Sequence, residues 1–334
     1  MPVNRALAAF FIGKNGGPFC TTQQSGTALM QVLWMVVGAF LFATMGVCIK
    51  YAAVHFHTAE IVFYRGLIGM LAMWLLSASQ SVSLKTRHPW MHAWRSLIGV
   101  TAMGCWFYAI TQMPLASAMT LNYMSSIWIA VFLLAGALWS LHPRSGRTPQ
   151  PLNVPLLLTI VAGFVGVVLM LQPSFAQEQT TAALIGLGSG VLSAMAYMQV
   201  VALSRMGEPE SRTVFFFGLG CTLLGLVASG ITGFSAWPGW QASLWLLPIG
   251  LLAAGGQLCM TRAYAQAKTA RGTLVVANLQ YSGIVFAGLY SLFWFHDSLG
   301  WEGWLGMLLI VTSGIAATIF RARGATVPAK AAGR

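Results

Sequence analysis

"EIVFYRGLIGM" (residues 60–70) reads as membrane-embedded sequence carrying two charges, Glu60 and Arg65, among Ile, Val, Phe, Leu and Gly. Further on, "RTVFFFGLGC" (residues 212–221) repeats the phrase with no charge inside it. Overlaying the two matches Val62, Phe63, Gly66 and Leu67 with Val214, Phe215, Gly218 and Leu219 at an offset of 152. A second overlay matches Leu121 and Tyr123 with Leu279 and Tyr281 at an offset of 158, the drift that unequal loops introduce. The chain therefore contains one unit written twice.

The surroundings say what kind of unit it is. Of 334 residues, 57% are hydrophobic and only 7% charged, against roughly 25% charged in a soluble domain. Apolar stretches of about 20 residues recur between short polar breaks, each long enough to cross a hydrocarbon core of roughly 30 Å as a helix. Barrel strands would give segments of about ten residues with alternating polarity, and none is seen. The expectation is an all-α integral membrane protein with ten transmembrane helices. They fall at about 28–53, 59–79, 94–113, 116–140, 152–171, 182–204, 213–233, 244–266, 272–295 and 301–320. Residues 28–171 and 182–320 then form two five-span repeats. Five is odd, so the second repeat enters the membrane from the opposite side, an inverted-topology arrangement used by secondary transporters.

Charge supports the same topology. With the N-terminus inside, sixteen of the eighteen Lys and Arg fall on the cytoplasmic side, from Arg5 and Lys14 through Lys85, Arg87, Arg95, Arg205 and Arg212 to the C-terminal Arg334. The outer loops carry Glu60, Glu178, Asp297 and Glu302 and no Lys or Arg. This is the positive-inside pattern, so the net charge of +12 reports topology in an inner membrane and not a nucleic-acid footprint. Residues 1–27 read as a cytoplasmic tail. Their apolar patch "ALAAFFIG" is too short for a span and lacks the small-residue cleavage site of a signal peptide. Residues 321–334, "RARGATVPAKAAGR", read as a basic cytoplasmic tail near anionic lipid. The five cysteines and six histidines show no metal or redox spacing, so no metal and no cofactor is expected.

At this point a family resemblance is carried by specific residues. "FYRGLIGM" in span 2, "FYAITQMPLASAMTLNYMSSIWIAVF" across spans 3–4 and "RAYAQAKTARGTLVVANLQYSGIVFAG" in the second half resemble the EamA-type drug/metabolite transporter superfamily over residues 28–320. The resemblance implies a fold of ten spans and transport of small organic solutes ranging from amino acids and nucleotide sugars to vitamins, amines and drugs. It also implies a Glu just after spans 4 and 9. Here those places read "LHPRSG" and "FHDSLG", with His142 and Asp297 nearby.

Lys50 and Arg65 are the two basic residues outside the cytoplasmic set, and the inverted copy replaces them with Val201 and Phe217. An Arg at mid-membrane costs about 2.5–3.5 kcal/mol on insertion scales and should face the bundle interior or a wet cavity. Three roles compete for Arg65: bonding helix-end carbonyls or Glu60, binding an anionic group of a substrate, or acting as a gating latch. Glu60 and Arg65 lie five residues apart and so point to different sides of a helix. Glu60 is therefore expected to meet Lys50 across the hairpin of spans 1 and 2, as an outer gate. No Asp or Glu lies deep in any span, which favours zwitterionic or anionic solutes over a proton-coupled exporter of cations.

The substrate-binding candidates are Arg65, Asn122, Tyr123, Trp128, Gln280 and Tyr281, because spans 4 and 9 repeat an amide and a tyrosine at equivalent places. Buried amides need hydrogen-bond partners, which another helix or a substrate supplies. Gly186 and Gly190 are expected to give close helix approach, and Pro114 and Pro248 to mark a span end and a local break. The functional expectation is a secondary transporter of a small amino-acid-like, zwitterionic or anionic metabolite. A multidrug or amine exporter is the runner-up. A membrane-embedded lipid enzyme finds no clustered catalytic residues, and a receptor or assembly subunit finds no large extramembrane surface. Expected partners are a small-molecule solute, the lipid bilayer and, as an oligomeric option, a second copy in a homodimer, with no nucleic acid.

Overall fold

Glu60 starts the decisive helix: its carboxylate accepts the backbone N–H of His57 at 2.8 Å, three residues upstream, satisfying a donor the first turn leaves open. The computed structural model describes residues 22–112, 115–140, 154–171, 180–236, 238–294 and 300–325. Cys20, Pro114, His142, Glu178, Asp297 and most of both tails lie outside them, as does the side chain of Phe107.

Helices occupy all ten expected stretches. In chain order they are α1 (Thr22–Ala52), α2 (Thr58–Ser79), α3 (Pro89–Gln112), α4 (Leu115–Tyr123), α5 (Ser125–Ser140) and α6 (Val154–Leu171). Then come α7 (Thr180–Arg205), α8 (Glu210–Thr232), the single turn α9 (Trp240–Ser243), α10 (Leu246–Ala265), α11 (Ala270–Leu279), α12 (Ser282–Trp294) and α13 (Trp301–Ala325). Pro248 sits in the first turn of α10, where its missing N–H costs nothing. Among the described residues no strand occurs, and eight helical stretches are long and apolar enough to cross a membrane. Two of the ten expected spans fall outside that set. They are the spans in α6, counted as apolar over Val154–Leu169, and in α3, which carries His92, Arg95, Ser96 and Thr101.

The burial pattern is that of a protein solvated by lipid. Leu29, Trp74, Leu75, Leu158, Leu184, Val227, Ile231 and Leu308 face outward, while Gln31, Ser77, Ser126, Ser189, Ser229, Gln257 and Asn278 are buried between helices. In hydrocarbon there is no hydrophobic reward for helix association, so close packing and interhelical hydrogen bonds hold the bundle together. The chain is a multi-pass integral membrane protein.

The four most extensive helix pairings are α2 with α8, α6 with α13, α1 with α10 and α3 with α7. Each joins a helix from before residue 172 to one from after residue 179. Glycine lets the backbones meet. A Cβ on Gly166 would stand 2.7 Å from the Gly306 carbonyl, and one on Gly186 would stand 3.3 Å from the Ala109 Cβ. The α2–α8 crossing is reciprocal: Gly66 lies against Thr222, and Gly218 against Met70, two pairs related by the same 152-residue offset read from the sequence.

Spans 4 and 9 are both interrupted at the middle. The first breaks at Met124, between α4 and α5, and the second at Gln280 and Tyr281, between α11 and α12. Tightened i→i−3 bonds close the second break, Tyr281 N–H to Asn278 O at 3.1 Å and Gly283 N–H to Gln280 O at 3.1 Å. The repeated amide–tyrosine pairs therefore sit at the breaks themselves.

Candidate functional site

Arg65 lies seven residues into α2, about 10 Å from its start at 1.5 Å per residue. It is half-buried. Its Nη1 donates to the Met103 sulfur at 2.8 Å, and its Nε is buried with no acceptor. A thioether is a weak acceptor, so this guanidinium is poorly satisfied by protein.

Arg95, grouped above with the cytoplasmic basic residues, is not a loop residue: it is 2% exposed, with its guanidinium carbon 4.1 Å from the centre of the Phe217 ring. The reason is helix length. α3 starts at Pro89, five residues before the expected span edge, so Arg95 stands nearly two turns inside it. Phe217 occupies the place the inverted overlay gives to Arg65's counterpart. The uncharged phrase thus supplies the ring on which a guanidinium from the third span rests, a cation–π contact. Arg65 and Arg95 are close enough to feel each other's charge, and both act on Tyr197 and Cys221.

The amides and aromatics predicted for the site sit at the helix breaks. Asn122 donates to Ser189 Oγ at 3.2 Å and to Ser193 Oγ at 3.5 Å on α7. Gln280 bridges two tyrosines, donating to Tyr197 Oη at 3.0 Å and accepting from Tyr264 Oη at 3.2 Å. The two rings are stacked, 5.3 Å apart. Tyr123 and Tyr281 face each other across the breaks at 6.3 Å, Tyr281 being fully buried. Trp128 packs beside Phe132 and keeps a buried indole N–H with no acceptor. The Gln280–Tyr197 bond links the break in span 9 to the two arginines, because Tyr197 lies within their field.

The expected meeting of Glu60 with Lys50 is replaced by another contact. Lys50 lies exposed near the end of α1, while Glu60, 2% exposed, takes the N–H of Ser235 at 2.8 Å, the Ser235 hydroxyl and the His57 N–H. These fill a carboxylate's lone pairs and tie the start of α2 to the turn after α8, where Gly233 adopts φ +83°. At the other end of the same two helices, Arg212 donates through Nε and Nη2 to the carbonyl of Ser83 in the turn after α2. Glu60 and Arg212, like Ser83 and Ser235, differ by 152. The two clasps are equivalent under the overlay and close opposite ends of the α2–α8 pair. Arg212 Nη1 also donates to Glu208 at 2.7 Å, and that carboxylate accepts Thr86 Oγ1 at 2.7 Å and faces His92 Nε2 at 3.2 Å. Sequence reading missed Ser235, Glu208 and Arg95. The offset applied to Ser83 would have found the first, and the i, i+4, i+8 stripe of Arg95, Gly99 and Met103 the last.

Comparison with known proteins agrees with this geometry. Residues 29–172 match the EamA-like transporter family. The chain is 31% identical to the pseudopaline exporter CntI of Pseudomonas aeruginosa, over 84% of this chain and 93% of that protein. It is 28% identical to an uncharacterized transporter of Helicobacter pylori, over 86% and 94% of the two chains. A crystal structure 19% identical in sequence shares the fold, with a TM-score of 0.70 over 88% of this chain and 98% of the other. Breaks in two equivalent spans, glycine-mediated crossings and these likenesses converge: the chain belongs to the EamA-like transporter family of the drug/metabolite transporter superfamily, and it is a transporter, not an enzyme.

Proposed function

We propose that this protein moves a small amino-acid-like metabolite, zwitterionic or anionic, across an inner membrane by alternating access. In this reading ten spans form two inverted repeats, residues 28–171 and 182–320, with both chain ends cytoplasmic. The observation that carries it is the unsatisfied Arg65 guanidinium inside a bundle that has no mid-span carboxylate to answer it. A buried cation without a counter-ion is costly, and an anionic group on a passing solute removes that cost each time it binds. Tyr123, Trp128 and Tyr281 supply aromatic walls, and Asn122 and Gln280 hold the two helix breaks in register. The clasps at Glu60–Ser235 and Arg212–Ser83 support the rocking motion, since opening either end of the α2–α8 pair breaks one clasp while the other holds. The relative at 31% identity is named as a pseudopaline exporter, which supports transport as the activity.

Counterflow in proteoliposomes against a panel of zwitterionic, anionic and cationic solutes tests this. The wild-type protein should move a zwitterionic or anionic solute, and Arg65→Gln should slow it roughly 10- to 100-fold, the value of a charge-assisted hydrogen-bond pair. Preferential movement of organic cations, untouched by Arg65→Gln, would instead establish the amine-exporter reading.

A further inference from the structure

We propose that Arg65 and Arg95 together bind a small dianion; this rests on the transport reading above and sharpens its solute class. Arg95 is the buried group the sequence did not place in the bundle. Its Nε and Nη1 are both enclosed and without an acceptor, and the ring of Phe217 below it offers a face but no lone pair. Arg65 has its Nε in the same condition, and among the described residues the acceptor it finds is a sulfur. Two guanidiniums close enough to feel each other's charge thus have donors to spare in one region of the bundle.

Among the described residues no carboxylate pairs with either guanidinium. The sequence holds six acidic residues, Glu60, Glu178, Glu208, Glu210, Asp297 and Glu302, and none is deep in a span. Glu60 and Glu208 are occupied by the clasps, and Glu210 and Glu302 stand in the first turns of α8 and α13. Cys221 and Tyr197, which lie within the field of both arginines, are neutral donors or weak acceptors. A zwitterion brings one negative charge and one more positive charge into this region. A dianion matches both cations without adding to their repulsion.

Spacing fits the same ligand. Arg95 Nη1 lies 3.7 Å from where a Cβ on Gly99 would be, and Arg65 Nη1 lies 2.8 Å from the sulfur of Met103. Gly99 and Met103 are one turn apart on α3, about 6 Å along the axis, so the two guanidiniums lie against adjoining turns of one helix. Two carboxylates on a short chain, or one doubly charged phosphate-type head, suit such an arrangement by accepting from both forks.

The test uses purified full-length protein in detergent, melted at constant ionic strength with succinate, inorganic phosphate, acetate or uncharged succinamide. Succinate or phosphate should raise the melting midpoint saturably, and acetate and succinamide should not. Succinate alone identifies a dicarboxylate, phosphate alone a single doubly charged head. Arg95→Gln and Arg65→Gln should each weaken the apparent affinity for the effective dianion roughly 10- to 100-fold. Should Arg95→Gln fail to fold, Arg95→Lys keeps the charge, loses the fork, and should weaken the same response by about tenfold. Equal shifts with acetate and succinate, no shift with either dianion, or wild-type affinity in Arg95→Gln each overturn the proposal. The two readings fail separately. A wild-type protein that moves a zwitterion in proteoliposomes yet melts alike with every probe keeps the transporter and loses the dianion, whereas failure of transport shows as no flux at all.

Discussion

Replacing Glu208 by Ala is expected to cost about 3–5 kcal/mol of stability, the penalty for removing one member of a buried charged network. The carboxylate, whose side chain is 4% exposed, is the meeting point of Arg212, Thr86 and His92. Without it, Arg212 retains the Ser83 carbonyl, but His92, 1% exposed and already lacking a partner at Nδ1, loses its remaining one. The turn after α2, the start of α3 and the start of α8 would then be joined by fewer bonds. Denaturant titration in mixed micelles measures the loss. The matched control is Glu210→Ala, two residues away in the first turn of α8, where a surface charge at a helix N-terminus contributes about 0.3–1 kcal/mol. Equal losses in the two variants would dismiss the clasp.

The same network sets a pH dependence. Burial alone would raise the Glu208 pKa, but hydrogen bonds from Arg212, Thr86 and His92 outweigh it and hold the carboxyl down to about 2, from an ordinary 4.5. A depressed carboxyl contributes stability that is complete above the unfolded value and is lost as pH falls through the folded one. The window for Glu208 therefore runs from about pH 4.5 down to about pH 2. Burial also lowers the His92 pKa despite Glu208 beside it, so the folded protein takes up a proton there less readily than the unfolded chain. Below pH 6.5 the unfolded chain therefore binds more of that proton than the folded one, and stability begins to fall there. Melting midpoints should thus decline from pH 7 to pH 5, and His92→Gln should flatten that limb while leaving the decline below pH 4.5 in place.

The helical spans were legible because they rest on local sequence: a run of about 20 apolar residues announces itself; the two-repeat reading rests on "VF" followed by Gly-Leu recurring at a fixed offset. The interior place of Arg65 was legible for the same reason, since an apolar phrase surrounds it. What was not legible depends on residues far away in the chain. Arg95 stands near Lys85 and Arg87 in sequence and so read as one more cytoplasmic charge. Its burial is decided by where α3 begins and by Phe217, which only folding brings beneath it. Glu60 was assigned to Lys50 because they share a hairpin, yet its partner is Ser235, 175 residues on. Asn122 and Gln280 were correctly read as needing partners, but Ser189, Ser193, Tyr197 and Tyr264 provide them from other helices, and a single sequence does not list its long-range neighbours.

Gly66→Ala is expected to be the most damaging one-carbon change in the bundle interior among three glycines that test the crossing. The new Cβ would lie 2.6 Å from the Thr222 nitrogen and 2.9 Å from the Cys221 carbonyl carbon. Both are backbone atoms of α8, so no side chain can turn aside and the helices themselves must separate. Overpacking of that kind costs about 1–3 kcal/mol or more. It would also loosen Arg65, one residue away, from Met103. The reciprocal Gly218→Ala meets the Met70 nitrogen at 3.1 Å, a contact relieved by a shift of a few tenths of an ångström, and should cost less. Gly188→Ala meets nothing within 4 Å, and the helix propensity of Ala over Gly should stabilise it by about 0.5–1 kcal/mol. Stability in mixed micelles should therefore rank Gly188→Ala above wild type, then Gly218→Ala, then Gly66→Ala, with solute flux falling in the same order across the last two. The ranking matters for mechanism because α2 and α8 carry a clasp at each end. Helices that rock against one another between two clasps need a crossing point where backbone touches backbone, and a methyl group inserted there holds the pair apart at both ends at once. A Gly66→Ala protein as stable and as active as wild type would show that the two helices do not pivot on this contact.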